Sequence, residues 1–256
     1  MMTDYYSEIQ FAIIDYLIIH GSATAAEIIK TCPCPTIPVG ADLQAAKTEA
    51  MFSLRLSGDL IGPEGEGHYH LSEKAEEMYR QAFLRSEAKQ DRSLEYMLAL
   101  ANCLREDLKP LADKIEIGGS IRRRKPMVGD IEIIALVNSD GVGNELLRRS
   151  IVTLKNGQKY KQVIIKPPAG PVVVDLFQTR NPAEWGMLFF IRTGSADFVR
   201  RALGHWKKIS DGGECRENIL YRGDGSMVQT FDETAVFAAL KCPFVTPERR
   251  IPRDGG

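Results

Sequence analysis

Between His68 and Ile117 the sequence contains no glycine, and between Met1 and His20 it contains no lysine or arginine. The first absence removes the residue that turns need most and lets Ser72 to Lys109 read as helix-forming. The second denies the opening segment the charged n-region of a signal peptide. No apolar run approaches the roughly 18 residues of a membrane helix, so no membrane partner is expected. Cysteine is scarce too: Cys32, Cys34, Cys103, Cys215 and Cys242 are an odd number without an export signal, which predicts reduced thiols, no disulfides and a cytoplasmic location. Internal repeats and low-complexity segments are lacking as well. What is present, 44% apolar residues and 33 Lys+Arg against 34 Asp+Glu, excludes disorder and collagen. At ~100 to 200 residues per domain, 256 residues allow one large domain or two small ones.

The charge is unevenly divided. Residues 1–85 hold 6 basic and 12 acidic side chains, a net of −6, whereas residues 86–256 hold 27 and 22, a net of +5. A phosphate-rich partner is drawn to the second part. In the first part Ile9, Ile13, Tyr16 and Leu17 share a helical face that should end by Gly21. Ser22 or Thr24 can cap a second helix through Lys30, and the prolines of Thr31 to Pro38 exclude helix. A third helix over 42–56 turns Leu43, Ala46, Ala50 and Leu54 inward, and Asp59 to Gly62 and His68 to Leu71 read as strands around a Gly/Glu tip. Three helices and a hairpin are the order of a winged helix, which predicts a module over residues 1–88.

Beyond a boundary at about 86–92 the period changes. Lys114 to Ile117, Asp130 to Val137, Lys161 to Ile165 and Val172 to Phe177 are β-branched and bounded by Gly or Pro, as strands are. A helix is expected from Asp197 to Trp206, and Thr230-Phe-Asp-Glu233 has capping-box spacing for another through Leu240. The fold class is α+β.

The stretch from Ile117 to Ile133 carries the chemistry. Asp130 and Glu132 stand two apart on a strand, so their carboxylates share a face while Ile131 and Ile133 take the other. Two neighbouring acids repel, and a divalent cation between them relieves the repulsion. Asp175 interrupts the apolar run Val172 to Phe177 and suits a strand interior only if it joins the same site. Three convergent carboxylates fit a pair of Mg²⁺ ions, with Mn²⁺ able to substitute. Gly119 and Ser120, at the end of the preceding strand, form a turn whose N–H groups can cradle phosphate, and Arg122, Arg123, Arg124 and Lys125 follow with cationic donors. A metal-bound nucleoside triphosphate matches this arrangement.

Apolar-Gly-Ser, nine residues, then Asp-apolar-Glu-apolar resembles the nucleotidyltransferase signature of the family X DNA polymerases, and Gly-Ser-x-Arg-Arg with Gly-Asp-x-Glu is that family's form of it. Trp185 to Ser195 resembles the family segment ending in Thr-Gly-Ser beside the nucleotide sugar, and Phe237 to Arg250 the closing part of its thumb. The resemblance spans roughly residues 92–253. It implies a palm over 89–195 built on a mixed sheet with flanking helices, and a small thumb over 196–256. It also implies that Asp130, Glu132 and Asp175 are the catalytic metal ligands, that Gly119, Ser120, Arg123 and Gly129 hold the triphosphate, and that Arg192, Thr193 and Gly194 lie at the sugar. The activity implied is addition of nucleotides from NTP or dNTP to the 3′-hydroxyl of primed or gapped DNA, with release of pyrophosphate.

The sequence also departs from the family. The glycine-free stretch leaves no helix-hairpin-helix grip on DNA. Ile191 and Arg192 replace a common Tyr-Phe pair, which predicts weak exclusion of ribonucleotides by a long cation able to swing aside. Ala196 and Val199 replace polar groups near the base. Two other readings stay open: nucleotidyl transfer to a protein or small molecule, and an inactive adaptor or winged-helix regulator. Thr193-Gly194-Ser195 also suits a helix cap. Cys32, Cys34, His68 and His70 form a C-x-C and H-x-H pair whose ligand types suit zinc. The expected recognition helix offers only Lys47 and Arg55 to a polyanion, so a protein partner suits the first module as well as DNA does.

Overall fold

Apolar residues at helical spacing put Ile9, Ile13, Ile14 and Leu17 on the buried face of α1 (Met2–His20). Thr24 then caps α2 (Ala25–Thr31) in a reciprocal box with Glu27, its hydroxyl accepting from the Glu27 N–H. The two-residue β1 (Ala23–Thr24) precedes that cap, and α3 (Leu43–Leu56) starts at Asp42, whose carboxylate accepts from the Gln44 and Ala45 N–H groups. β2 (Leu60–Glu64) and β3 (His68–Leu71) complete an antiparallel sheet in the order β1-β3-β2. Three helices and then a hairpin thus follow in the order read from the sequence. The computed structural model describes residues 2–33, 42–64 and 67–252. They fall into two units, Met1–Phe83 and Leu84–Gly256.

One residue of the first unit departs from expectation. Lys47 lies on the inward side of α3, 2% exposed, and its ammonium donates to the carbonyls of Ile29 at 2.8 Å and Cys32 at 2.7 Å. It therefore satisfies orphan carbonyls at the end of α2 instead of facing a polyanion. Cys32 is buried in the same core, and Cys34 lies outside the described residues.

α4 (Glu73–Ala88) leads into the second unit. The helical stretch breaks at β4 (Arg92–Ser93), before α5 (Leu94–Leu108). Next come β5 (Lys114–Ile117), the short α6 (Gly119–Arg122), β6 (Met127–Val128), which pairs with β4, and β7 (Asp130–Leu136). α7 (Gly141–Arg149), β8 (Val152–Asn156), β9 (Tyr160–Ile165) and β10 (Val172–Thr179) follow. The five-stranded sheet runs β5-β7-β10-β9-β8, parallel only between β7 and β10.

Alternation along the strands divides the side chains between two faces. Ile131, Ile133, Val174 and Leu176 pack with Met97, Ala101 and Leu104 of α5 and with Val142 and Leu146 of α7. On the other face α8 (Trp185–Thr193) covers Ile134, Leu136 and Phe177 through Trp185 and Leu188. The ends of β7 and β10 beyond that cover carry the acids. α9 (Ala196–Ile209), the small sheet of β11 (Glu214–Arg216), β12 (Ile219–Tyr221) and β13 (Met227–Val228), and α10 (Glu233–Ala239) enclose another core around Phe190, Trp206, Leu220 and Phe237. The cap of α10 is Asp232, whose carboxylate accepts from the Ala235 N–H at 2.8 Å. Thr230, expected to open a capping box, instead accepts from the Met187 N–H, and Glu233 is drawn away by arginines. Among the described residues no helix is long and apolar enough to cross a membrane, and there is no disulfide.

Candidate active site

β7 and β10 pair in parallel with Glu132 opposite Asp175 and Asp130 opposite Val173. Strand neighbours lie about 4.8 Å apart and residues two apart along a strand roughly 7 Å, so Asp130, Glu132 and Asp175 occupy one corner of one face. All three are pushed above the ordinary carboxylate range. Burial is the main cause in each case. For Glu132 the charges of Asp130 and Asp175 add to it and carry the group to about 7. For Asp130 the charge of Asp175 adds, and Arg123 opposes. For Asp175 hydrogen bonds from Tyr160 and Gln162 oppose the rise.

The turn after β5 closes one side. The Gly118 N–H donates to the Glu132 carbonyl at 2.9 Å, and Gly119 has φ of +60°. A Cβ at Gly119 would stand 1.6 Å from Glu132 Oε2, so both the backbone conformation and the close carboxylate require glycine. Turned toward this glycine, Glu132 does not close a cage with the two aspartates. Among the described residues no three His, Cys, Asp or Glu side chains converge as metal ligands. The donor set still suits a divalent cation, because three oxygen-only ligands with raised pKa values stand where added positive charge would relieve them. Of the C-x-C and H-x-H residues, Cys32 is buried in the core of the first unit, His68 and His70 lie along β3, and Cys34 is outside the described residues.

The arginines that follow the turn divide their work. Arg123 donates from Nη1 to the Thr193 carbonyl at 2.8 Å and to the Gly194 carbonyl at 3.3 Å, and its Nε is buried without a partner. Burial lowers its pKa, opposed by Glu132 and Asp130. Arg122 is half-buried. It donates to Thr193 Oγ1 at 2.5 Å and makes a forked pair with Glu233, both bonds 2.9 Å long, with its guanidinium 3.8 Å from the Phe189 ring centre. Glu233 also accepts from Arg250, which is 0% exposed. Burial raises the Glu233 pKa, but hydrogen bonds from Arg250 and Arg122 outweigh it and hold the group low. Arg124 is exposed, 3.5 Å from Glu248. Ser195 caps α9 by accepting from the Phe198 N–H at 3.2 Å.

Arg192 is not free to swing. Its guanidinium lies 3.7 Å from the centre of the Phe177 ring, its Nε is buried without a partner, and burial lowers its pKa. Phe177 stacks in turn on Tyr160, with centroids 4.7 Å apart and planes 7° from parallel, and the Tyr160 hydroxyl donates to Asp175 Oδ1 at 2.8 Å. Tyr160 and Gln162 escaped the sequence reading, although their alternation on β9 placed them beside Asp175. Gly129 lies on the far side of Asp130, against Asp91 and Lys89, and lines a cavity away from the Gly119 turn.

No protein-family model matches the chain. No curated protein sequence matches it either. Among solved structures it is similar to Leishmania infantum polymerase beta in its ternary P/T complex, with a TM-score of 0.58 and 18% identity over 84% of this chain and 95% of that one. The α+β fold is thus polymerase β-like.

Proposed function

We propose that the chain is a metal-dependent nucleotidyltransferase resembling a minimal family X DNA polymerase, acting in the cytoplasm. In this reading residues 1–88 are a winged-helix-like module, 89–195 the palm and 196–256 the thumb. The observation that carries it is the register of Asp175 against Glu132, which sets three carboxylates on one face beside the Gly119 turn. Asp130, Glu132 and Asp175 would hold two magnesium ions, with manganese able to substitute, and the ions when bound supply Lewis-acid stabilisation of phosphoryl oxygens.

The chain's own residues do the rest. The turn at Gly119 and Ser120 offers backbone N–H donors to the triphosphate, and Arg123 offers a guanidinium whose Nε already lacks a partner. Arg192, Thr193 and Gly194 border the sugar. The Tyr160 hydroxyl keeps Asp175 aimed into the site beside the attacking 3′-hydroxyl. Attack on the α-phosphate in line with the departing pyrophosphate then needs only positioning and charge stabilisation. Because Lys47 is buried, Arg55 is the one exposed basic side chain on α3, which favours a protein partner over DNA for the first unit. Labelled primed DNA incubated with each triphosphate and Mg²⁺ tests the function: extension of the primer supports it, and triphosphate turnover without extension assigns another acceptor.

A further inference from the structure

On the side of the acids away from the Gly119 turn, the C-terminal end of α4 packs on the sheet. Leu84 and the fully buried Ala88 sit against Val152, Ile164 and Val173, and Arg92 fastens the next loop by donating to the carbonyls of Gln90 and Pro171. This packing holds Arg85 and Lys89 over the β8–β9–β10 edge. Together with Lys155 they line a cavity of about 490 Å³ that reaches Asp130, its one acidic wall, with Gln162 and Gly129 between.

None of the three makes a salt bridge among the described residues, while the Lys155 ammonium lies 5.1 Å from the centre of the Tyr160 ring and its charge acts on Asp175. Cations set by two packed elements around one concavity suit a ligand that carries several separated phosphates. In the proposed reaction the triphosphate lies across β7, on the Gly119 side. What reaches Asp130 and Asp175 from the β8–β9 side is the acceptor.

We infer that Arg85, Lys89 and Lys155 form a phosphodiester subsite that holds the acceptor strand of a polynucleotide as it leaves the three carboxylates. This rests on the nucleotidyltransferase reading and specifies its acceptor as a chain of phosphates, not a protein or small-molecule hydroxyl. It also supplies a grip on nucleic acid in a chain without the glycine-paired hairpins of its relatives.

The test is binding of a fluorescently labelled primed DNA duplex to the full chain, without nucleotide, between roughly 50 and 200 mM KCl. R85A/K89A/K155A should flatten the slope of log Kd against log[KCl] by about 2.7, near 0.9 for each phosphate no longer neutralised. Its affinity for nucleoside triphosphate should stay at the wild-type value. The control K109A/K114A/R180A removes as many charges at the opposite end of the sheet and should change the slope by less than a third as much. An unchanged slope, an equal effect of the control, or a parallel loss of triphosphate affinity overturns the subsite. Triphosphate binding to the wild-type chain, followed separately, decides the underlying reading, so the two fail by different measurements.

Discussion

The Tyr160 hydroxyl donates a 2.8 Å hydrogen bond to Asp175 while its ring lies flat on Phe177. The stack fixes the ring, the ring fixes the hydroxyl, and the hydroxyl fixes one carboxylate oxygen. Tyr160→Phe keeps the stack and removes the bond. Outer partners of metal ligands are typically worth 10–100-fold in affinity or activity. Transfer should therefore fall by about that factor, with the Mg²⁺ half-saturation rising and the triphosphate KM little changed. A Mg²⁺ titration at saturating triphosphate reads this directly. An unaltered Mg²⁺ dependence would leave Tyr160 with a packing role only.

The three consecutive arginines should separate under substitution by lysine, which cannot reproduce a fork. Arg123→Lys should weaken triphosphate binding most. Arg122→Lys should cost mainly stability, since it loses the bidentate pair to Glu233. Arg124→Lys should be nearly neutral at an exposed site. Isothermal titration with triphosphate beside thermal melts distinguishes the three. Equal binding losses would mean that the arginines have been assigned the wrong roles.

Glu233 stands between Arg122 and a wholly buried Arg250 whose guanidinium lies among the rings of Phe190, Phe198, Phe237 and Phe244. Glu233→Ala leaves that guanidinium without a counter-charge, a change that costs about 3–5 kcal/mol in buried pairs. Urea unfolding should register a loss of that order, and a loss below about 1 kcal/mol would mean that solvent reaches Arg250.

The acids set the pH response of the metal-free protein. A carboxyl with a raised folded pKa contributes stability that is complete below its unfolded pKa, 4.5 for Glu132, and is lost as pH rises through the folded value of about 7. Glu233, held low, acts in the opposite sense: its contribution is present above the unfolded pKa and is lost as pH falls through the lowered one. Between these limits the wild-type Tm should decline toward neutral pH, and Glu132→Gln should flatten the decline. Each kcal/mol is worth roughly 2–4 °C in a protein of this size. A melt series with and without Mg²⁺ checks this, because bound cation should remove the decline.

What could be read from the sequence was whatever a short period or a fixed spacing encodes. Alternation around Ile131 and Ile133 placed Asp130 and Glu132 on a common face, and on β10 Asp175 stands in register with Glu132. Long-range partners left no such trace. Nothing near Arg122 or Arg250 in the chain announces that Glu233 lies between them, and Lys47 read as a surface cation because helical position alone does not reveal the α2 carbonyls waiting for it. α7 was missed because Gly141 and Gly143 break its pattern. Gly143 is there for Lys161, whose Cε would lie 2.4 Å from a Cβ at that position. β8 did carry a signal, Val152-Thr-Leu before Asn156-Gly157, which marks the first arm of a hairpin.

The central claim, that three acids on β7 and β10 serve metal-dependent transfer of a nucleotide, is tested most directly by one assay. Wild type, Asp130→Ala and Asp175→Ala are given labelled primed DNA, triphosphates and Mg²⁺, beside melts of each protein without metal. The account predicts primer extension by the wild type alone, with both variants folded and as stable as the wild type or more so without metal, because repulsion within the cluster is relieved. Extension at the wild-type rate by either variant would contradict it.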